Sequence, residues 1–377
     1  MLKSLEVDGF RAFRSLAIPS LGRVNLIVGK NNVGKTSLLE ALRLFAYTGS
    51  PEVIADILRF RDETRFAQTP GLQPDIVPLW RLFHGREDWA DAAMASIRIG
   101  PLGSRQEGVL ISLQWWQDGK GTDTTVIDLT PNHPIREQEF GAARLGLFIE
   151  AERVGLQAVI FPEEFSDPRG LERLAAPGTT IWRRRQASQS PCVLLSAEGP
   201  AVEDLGRWWD RIALTNREEH VLDALRIIDP EVERLQFISV GEETKNRIPV
   251  VKRTGSQGPV PLRSLGDGMI RVLRIILGLA TVPGGLLLID EVENGIHYSA
   301  QTDLWRLILQ VAARLDVQVF ATSHSWDCIS AFQQAASELP EQEGFLIRLH
   351  RKGGEVRATV FDEERLGIAT RQDIEVR

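Results

Sequence analysis

Apolar and polar positions change rhythm several times along this chain. Residues 24–28, Val-Asn-Leu-Ile-Val, form a short and nearly unbroken apolar run, and similar runs stand at 192–196, 285–289 and 317–321. Runs of this kind fit strands of a parallel sheet buried on both faces. Strict alternation replaces them at 95–99, 109–115 and 125–129, with glycines between, which predicts an antiparallel meander. Further short strands are expected at 2–7 and 15–18, around the turn Gly9-Phe10-Arg11-Ala12-Phe13, and at 235–240 and 248–252. Apolar residues at helical spacing mark 37–42, parts of 201–229, and 272–282. Residues 50–95 are mixed, and 131–190, rich in Pro, Gly and Arg, hold no clean period. The predicted class is α/β: a mostly parallel sheet, an antiparallel β subdomain and a helical lobe. We expect one head from 1–130 and 232–377, with 131–231 as an inserted mixed or helical lobe.

One loop gives this pattern a chemistry. Gly29-Lys30-Asn31-Asn32-Val33-Gly34-Lys35-Thr36 fits G-x-x-x-x-G-K-[ST] in full, between a predicted strand and a predicted helix. Glycine allows positive φ and close approach of the backbone N–H groups to an anion, and a helix N-terminus adds its own. The expected nucleotide contacts are Gly29, Asn31, Asn32, Val33, Gly34, Lys35, Thr36 and Ser37. Lys35 would reach the β- and γ-phosphates of ATP and Thr36 would hold Mg²⁺.

The run at 285–289 ends in Asp290-Glu291, at the strand end where α/β sheets bind ligands. Asp290 is the expected second Mg²⁺ ligand, and Glu291 the expected base for an attacking water. The run at 317–321 leads to His324, which could donate to a γ-phosphate oxygen. Leu262 to Arg271 is a glycine-containing loop that opens an apolar helix, a weaker anion site.

Composition narrows the class without deciding it. The 377 residues are 43% hydrophobic and 25% charged, as in an ordinary globular protein. No apolar run approaches a membrane span, and Met1 to Glu6 lacks a signal-peptide layout, so a cytoplasmic protein is expected. Cys192 and Cys328 are too isolated for a disulfide framework or a metal site and are expected in the core. The net charge of −7 does not point to nucleic acid, although a basic groove can sit on an acidic protein. Trp182-Arg183-Arg184-Arg185 is the most basic aromatic cluster, readable as a DNA contact or as a solvated face. His84, His133, His220 and His350 lack metal-ligand spacing. Trp115-Trp116 and Trp208-Trp209 are adjacent pairs, so one ring of each is expected to face the core from a strand.

The order of P-loop, glycine loop with helix, acidic strand and strand-histidine resembles the ABC-type ATPase head. Leu265-Gly266-Asp267-Gly268 stands where such heads carry the Leu-Ser-Gly-Gly signature, with Gly266 in place of the serine and Ser264 close by. The resemblance implies that Ser264, Gly266, Asp267 and Gly268 contact ATP held by another subunit. It therefore implies a homodimer with ATP sandwiched between heads. The Gly-Phe-Arg-Ala-Phe turn, the P-loop and Asp290-Glu291-Val292-Glu293-Asn294-Gly295-Ile296-His297 are similar to RecF and the OLD (overcoming lysogenization defect) ATPases. OLD proteins usually carry a C-terminal Toprim nuclease, whereas Ser325 to Arg377 leave less than a domain's length. That tail reads as a helix, then a hairpin around 351–355.

The resemblance implies an ATPase switch or sensor in antiviral defence, acting with a separate nuclease or toxin subunit and without a membrane partner. The alternative it implies is a RecF-like DNA-maintenance ATPase that clamps DNA. A small-molecule kinase fits poorly with Glu291 and His324.

Overall fold

The unalternating runs lie side by side in one sheet. The computed structural model describes residues 1–63, 79–85, 95–118, 124–127, 143–161, 191–197, 202–239, 247–339, 341 and 343–362. Strands β1 (Leu5–Phe10), β2 (Phe13–Ile18) and β3 (Val24–Val28) lead into helix α1 (Lys35–Ala46), followed by α2 (Pro51–Phe60). Then come β4 (Ser96–Gly100), β5 (Val109–Asp118), β6 (Thr124–Ile127), β7 (Ala143–Ala151), β8 (Leu156–Ile160) and β9 (Cys192–Leu195). Helices α3 (Val202–Ile212) and α4 (Arg217–Arg226) precede β10 (Val232–Ser239), β11 (Arg247–Arg253) and β12 (Val260–Pro261). The last part holds α5 (Asp267–Thr281), β13 (Leu286–Ile289), α6 (Tyr298–Arg314), β14 (Gln318–Ser323), α7 (Trp326–Glu338), β15 (Gly344–Lys352) and β16 (Glu355–Phe361).

The central sheet has the order β16-β15-β3-β14-β13-β9. All pairings within it are parallel except the β15–β16 hairpin. Its strands feed two cores, because successive side chains leave a strand on opposite faces. Leu26, Val28, Leu287 and Ile289 join the core under α5 and α6. Ile27, Leu286 and Leu288 join the one under α1 and the second sheet. That second sheet is antiparallel, ordered β2-β1-β4-β5-β7-β8, with β6 on β5. A third, β10-β11-β12, packs against the helical lobe. With the P-loop strand, the acidic strand and the histidine strand on adjacent tracks, this is the α/β architecture of an ABC-type P-loop ATPase head.

Three expectations change. The lobe drawn over 131–231 is too wide. β7 and β8 continue the antiparallel sheet, and β9 pairs in parallel with β13 (Leu286 opposite Cys192), so among the described residues of that span the α-helical part is α3 and α4, packed on α5. In β7 Leu147 and Ile149 are buried and Phe148 and Glu150 are not, but Phe148 is itself apolar, so burial alternates where residue type does not. Trp208 and Trp209 sit on helix α3 rather than a strand; Trp209 is buried beside Phe237, ring centroids 6.2 Å apart, and Trp208 is partly covered. Helix α5 starts at Asp267, five residues before the apolar run expected at 272–282.

Both cysteines are free and buried, as expected, and burial pushes each thiol up to about 12. The Trp182–Arg185 cluster, His133 and the end of the tail from 363 lie outside the described residues. No helix among the described residues is long and apolar enough to cross a membrane.

Candidate nucleotide-binding site

The loop between β3 and α1 takes the shape its glycines allow. Gly29 has φ +149°, and a Cβ there would come within 2.4 Å of the Leu349 carbonyl oxygen on β15. Gly34 has φ +104°, and a Cβ would meet the Phe13 ring at 2.9 Å. The first glycine lets the loop lie down on β15, and the second lets α1 start against the β1–β2 turn. Asn32 also takes positive φ, at 61°. Val33 is buried and pins the loop to the core, while Lys30, Asn31 and Asn32 are exposed. Gly34 caps α1 without a side chain, so the first N–H groups of the helix have no side-chain acceptor.

Lys35 lies across the loop and donates to the carbonyls of Gly29 (2.7 Å) and Lys30 (3.3 Å). Burial lowers the pKa of its ammonium, against the opposing pull of Asp290, Glu291 and Glu293. A polyanion bound here would add to that pull. Thr36 Oγ1 donates to Asp290 Oδ2 at 3.1 Å, bridging residues 254 positions apart. The other oxygen, Asp290 Oδ1, accepts from Thr322 Oγ1 at 2.6 Å. A hydroxyl and a carboxylate are hard oxygen donors, and with phosphate oxygens and water they fit a Mg²⁺ ion.

Glu291 sits at the end of β13 with φ +50°, a conformation side chains other than glycine rarely adopt. It is held there from two sides. Its N–H donates to Thr322 Oγ1 (2.9 Å), and its carbonyl accepts from Arg271 (2.8 Å). Arg271, buried on α5, also donates to the carbonyls of Asp290 and Ser196. Burial, helped by the Arg274 charge, lowers its pKa to about 10. The Glu291 carboxylate accepts from Asn294 Nδ2 at 2.7 Å and remains about 40% exposed. Strain held this firmly is a feature of functional positions.

These groups line a cleft of about 680 Å³. Asn31, Asn32, Gly34, Lys35, Thr36, Ser37, Asp290 and Glu291 all border it. So do Arg11 of the Gly9–Phe13 turn, and Arg61 and the segment around Phe83, which the sequence pattern does not single out. Arg11 bonds Glu63, and Arg61 bonds both Glu40 and the Ser37 hydroxyl (3.2 Å). Glu40 is buried on α1, with Arg11 Nε 3.1 Å away. Burial pushes its carboxyl up, against the pull of the two guanidinium groups. The segment Leu79–Leu82 and the two residues after it are tied to the first turn: the Arg11 N–H donates to the Leu82 carbonyl and the His84 N–H to the Gly9 carbonyl. His84 Nδ1 lies 2.7 Å from the Arg11 carbonyl oxygen, a structural role.

His324 follows β14, with Nδ1 3.9 Å from Glu291 Oε1 and 3.3 Å from Glu293 Oε1. Ser264, Gly266, Asp267 and Gly268 are elsewhere and border none of this cleft. Gly266 caps α5 with φ +110°. Gly268 lies so close to the loop after β13 that a Cβ would meet the Gly295 carbonyl oxygen at 2.8 Å.

Two segments of the chain match family models described as ATPase or AAA domains. Residues 1–68 match a family model described as "AAA ATPase domain". Residues 223–327 match one described as "AAA domain, putative AbiEii toxin, Type IV TA system". The first segment holds the P-loop; the second holds α5, Asp290, Glu291 and His324. A relative from Helicobacter pylori named "ATP/GTP phosphatase" is 22% identical over 90% of this chain and 89% of its own length. The "DNA replication and repair protein RecF" of Clostridioides difficile is 36% identical over 67 residues, 17% of this chain and 18% of that protein. Among solved structures, the SMC head domain from Thermotoga maritima aligns with a TM-score of 0.43 at 14% identity, covering 96% of this chain and 98% of that one. An Smc head domain bound to the C-terminal domain of ScpA derived from Pyrococcus furiosus aligns with a TM-score of 0.48 at 11% identity, covering 99% of each chain.

Proposed function

We propose that this chain is a Mg²⁺-dependent ATPase of the RecF/OLD type, a cytoplasmic switch whose two copies close on ATP. The observation that carries the reading is the contact of Thr36 with Asp290, one from each half of a P-loop site, with Glu291 next in line. Mg²⁺ held by Thr36 and Asp290 would offset charge on the β- and γ-phosphates. Lys35 would leave the two loop carbonyls for the same phosphates, and the uncapped start of α1 would donate its N–H groups. Glu291, oriented by Asn294 and exposed on its open side, would take the proton of the attacking water. The γ-phosphate is held only until hydrolysis releases it, so ATP and ADP would select different assemblies.

Two features support a sandwich of two chains. Ser264 to Gly268 border no part of the cleft in their own chain, and α5, like α1, opens on a glycine without a side-chain cap. The model matched by 223–327 is described as "putative AbiEii toxin, Type IV TA system", which is in keeping with a defence role; the separate nuclease or toxin partner is carried by the OLD resemblance alone. The RecF match favours a second reading, a DNA-clamping ATPase. ATP turnover by the purified chain, with Mg²⁺ and with a chelator, tests the core of the proposal. Lys35→Ala is expected to lower turnover by about 10²- to 10³-fold, the size of losing one preorganised donor. Turnover by that variant at the wild-type rate would refute the assignment. Stimulation by duplex DNA would move the role to the second reading.

A further inference from the structure

Glu293 is a buried carboxylate that the hydrolysis scheme does not use. Its side chain is 8% exposed, two residues beyond the proposed base. Two hydrogen bonds converge on one of its oxygens, and an imidazole lies beside it. Oε1 accepts from Ser323 Oγ at 2.8 Å and from the His324 backbone N–H at 3.1 Å, and the His324 ring nitrogen Nδ1 lies 3.3 Å away. Oε2 is buried and has no hydrogen-bond partner among the described residues. A carboxylate placed only for packing would be expected to pair both oxygens, since an unpaired buried acceptor costs about 1–3 kcal/mol. This one is turned wholly toward the end of β14.

The ring it faces is otherwise loosely held. The His324 side chain is 52% exposed, and its other acidic neighbour, Glu291 Oε1, is 3.9 Å from Nδ1, too far for a hydrogen bond. An ionised carboxylate only accepts, so Glu293 at 3.3 Å favours hydrogen on the ring nitrogen that faces it. Nε2 is then the nitrogen left for the nucleotide, an acceptor in the neutral ring and a donor in the charged one.

We infer that Glu293 is a positioning residue for His324, fixing the ring's orientation and keeping hydrogen on Nδ1, so that Nε2 faces the γ-phosphate and donates to it when the ring is charged. The inference rests on the ATPase reading for its catalytic consequence, though not for the contact itself. Together Glu293 and Ser323 would hold β14 and the loop after β13 in one register, so that His324 and Glu291 are presented as a pair.

Two measurements test it. Long-range proton–nitrogen spectra of ¹⁵N-histidine-labelled protein show which nitrogen of each imidazole carries hydrogen, and loss of one signal set in His324→Ala assigns His324 among the six histidines. We expect the Nδ1–H form in the neutral ring of the wild-type protein; the Nε2–H form overturns the inference without any Glu293 variant having to fold. In single-turnover hydrolysis, Glu293→Ala should lose at least about ten-fold in rate with ATP affinity unchanged, as when a third group orients a catalytic imidazole. Glu293→Gln, which keeps an acceptor, should recover part of that loss, and in a His324→Ala background Glu293→Ala should add nothing. A full additional loss in that background, or an equal loss of ATP affinity, overturns the inference. Absence of turnover in the wild-type protein counts against the ATPase reading alone, and the spectra still decide the contact.

Discussion

Helices α1 and α5 begin alike and end up in different company. Each opens on a glycine with positive φ and without a side-chain cap, Gly34 at 104° and Gly266 at 110°. The start of α1 has gathered its chemistry from its own chain: Thr36 bonds Asp290, Ser37 bonds Arg61, and the cleft forms around them. The start of α5 has gathered none of that kind. It packs on the loop after β13, with Gly268 against Gly295, and the cleft does not include it. By contrast, α6 and α7 spend a side chain on their first turn, His297 accepting from the Ser299 N–H and Ser325 from the Cys328 N–H. A helix start without a side-chain cap, exposed beside catalytic elements, suits an anion that arrives from outside. On the proposed reading, half of the site is finished in one chain and the other half is built for a neighbour.

The strongest way to probe the finished half is Glu291→Gln. The amide keeps the shape of the carboxylate but cannot take a proton. Hydrolysis should fall by about 10²- to 10⁴-fold, the usual worth of a general base, with ATP binding intact. Rapid-quench measurement of one turnover decides it, and a wild-type rate would remove Glu291 from the role.

A smaller effect is expected at Thr322, which touches both acids: it donates to Asp290 Oδ1 and accepts from the Glu291 N–H. Thr322→Val removes the hydroxyl at nearly constant volume. We expect about 10- to 100-fold lower affinity for Mg²⁺ in the presence of ATP, as for other groups that orient a metal ligand. A metal titration of turnover reads this directly. An unchanged Mg²⁺ dependence would show that Asp290 does not need Thr322 for its orientation.

The smallest effect is the sharpest test of the contrast between the two helix starts. Lys35→Ala damages the start of α1 and Ser264→Glu the approach to the start of α5. Ser264 is the better position than either glycine: it is exposed, whereas Gly266 has φ +110°, where any side chain is strained, and a Cβ at Gly268 would displace the Gly295 loop within its own chain. Each variant alone should be nearly inactive. If α5 completes the neighbour's site, mixing them puts both lesions in one composite site and leaves the other intact. Random pairing then restores roughly a quarter of the wild-type sites. No recovery on mixing, with heterodimers shown to form, would place both helix starts in the same site of the same chain.

Much of the finished half was legible in the chain. The P-loop pattern, its flanking strand and helix, Asp290 and Glu291 are close in sequence to what defines them, and β14 and the β15–β16 hairpin followed from apolar runs and turn glycines. Less legible were residues whose role comes from distant pairing. Thr322 and Arg271 look like ordinary strand and helix residues until the sheet order sets them against Asp290 and Glu291. Arg11 and Arg61 become wall residues of the cleft only through Glu40, which reads as one more acid on a helix. Strands β7 and β8 were hidden because apolar residues follow one another in both, Leu147-Phe148-Ile149 and Ala158-Val159-Ile160. One signal for Glu293 was present: it follows Asp290 and Glu291 in the same short segment, an acid beyond the two that the chemistry of hydrolysis requires.

The position of β3 in the central sheet has a consequence for how the protein is made. Both neighbours of β3, β14 and β15, come from far down the chain; Val24 pairs with Val319 and with Gly344. At about 5–20 residues per second of synthesis, the strand carrying the P-loop waits roughly 15–60 seconds for its first sheet partner. During that time the loop has no Asp290, no Thr322 and no carbonyl of Leu349 to lie on. Until those strands have been made, a ribosome-bound chain holds a P-loop without the walls that complete its cleft.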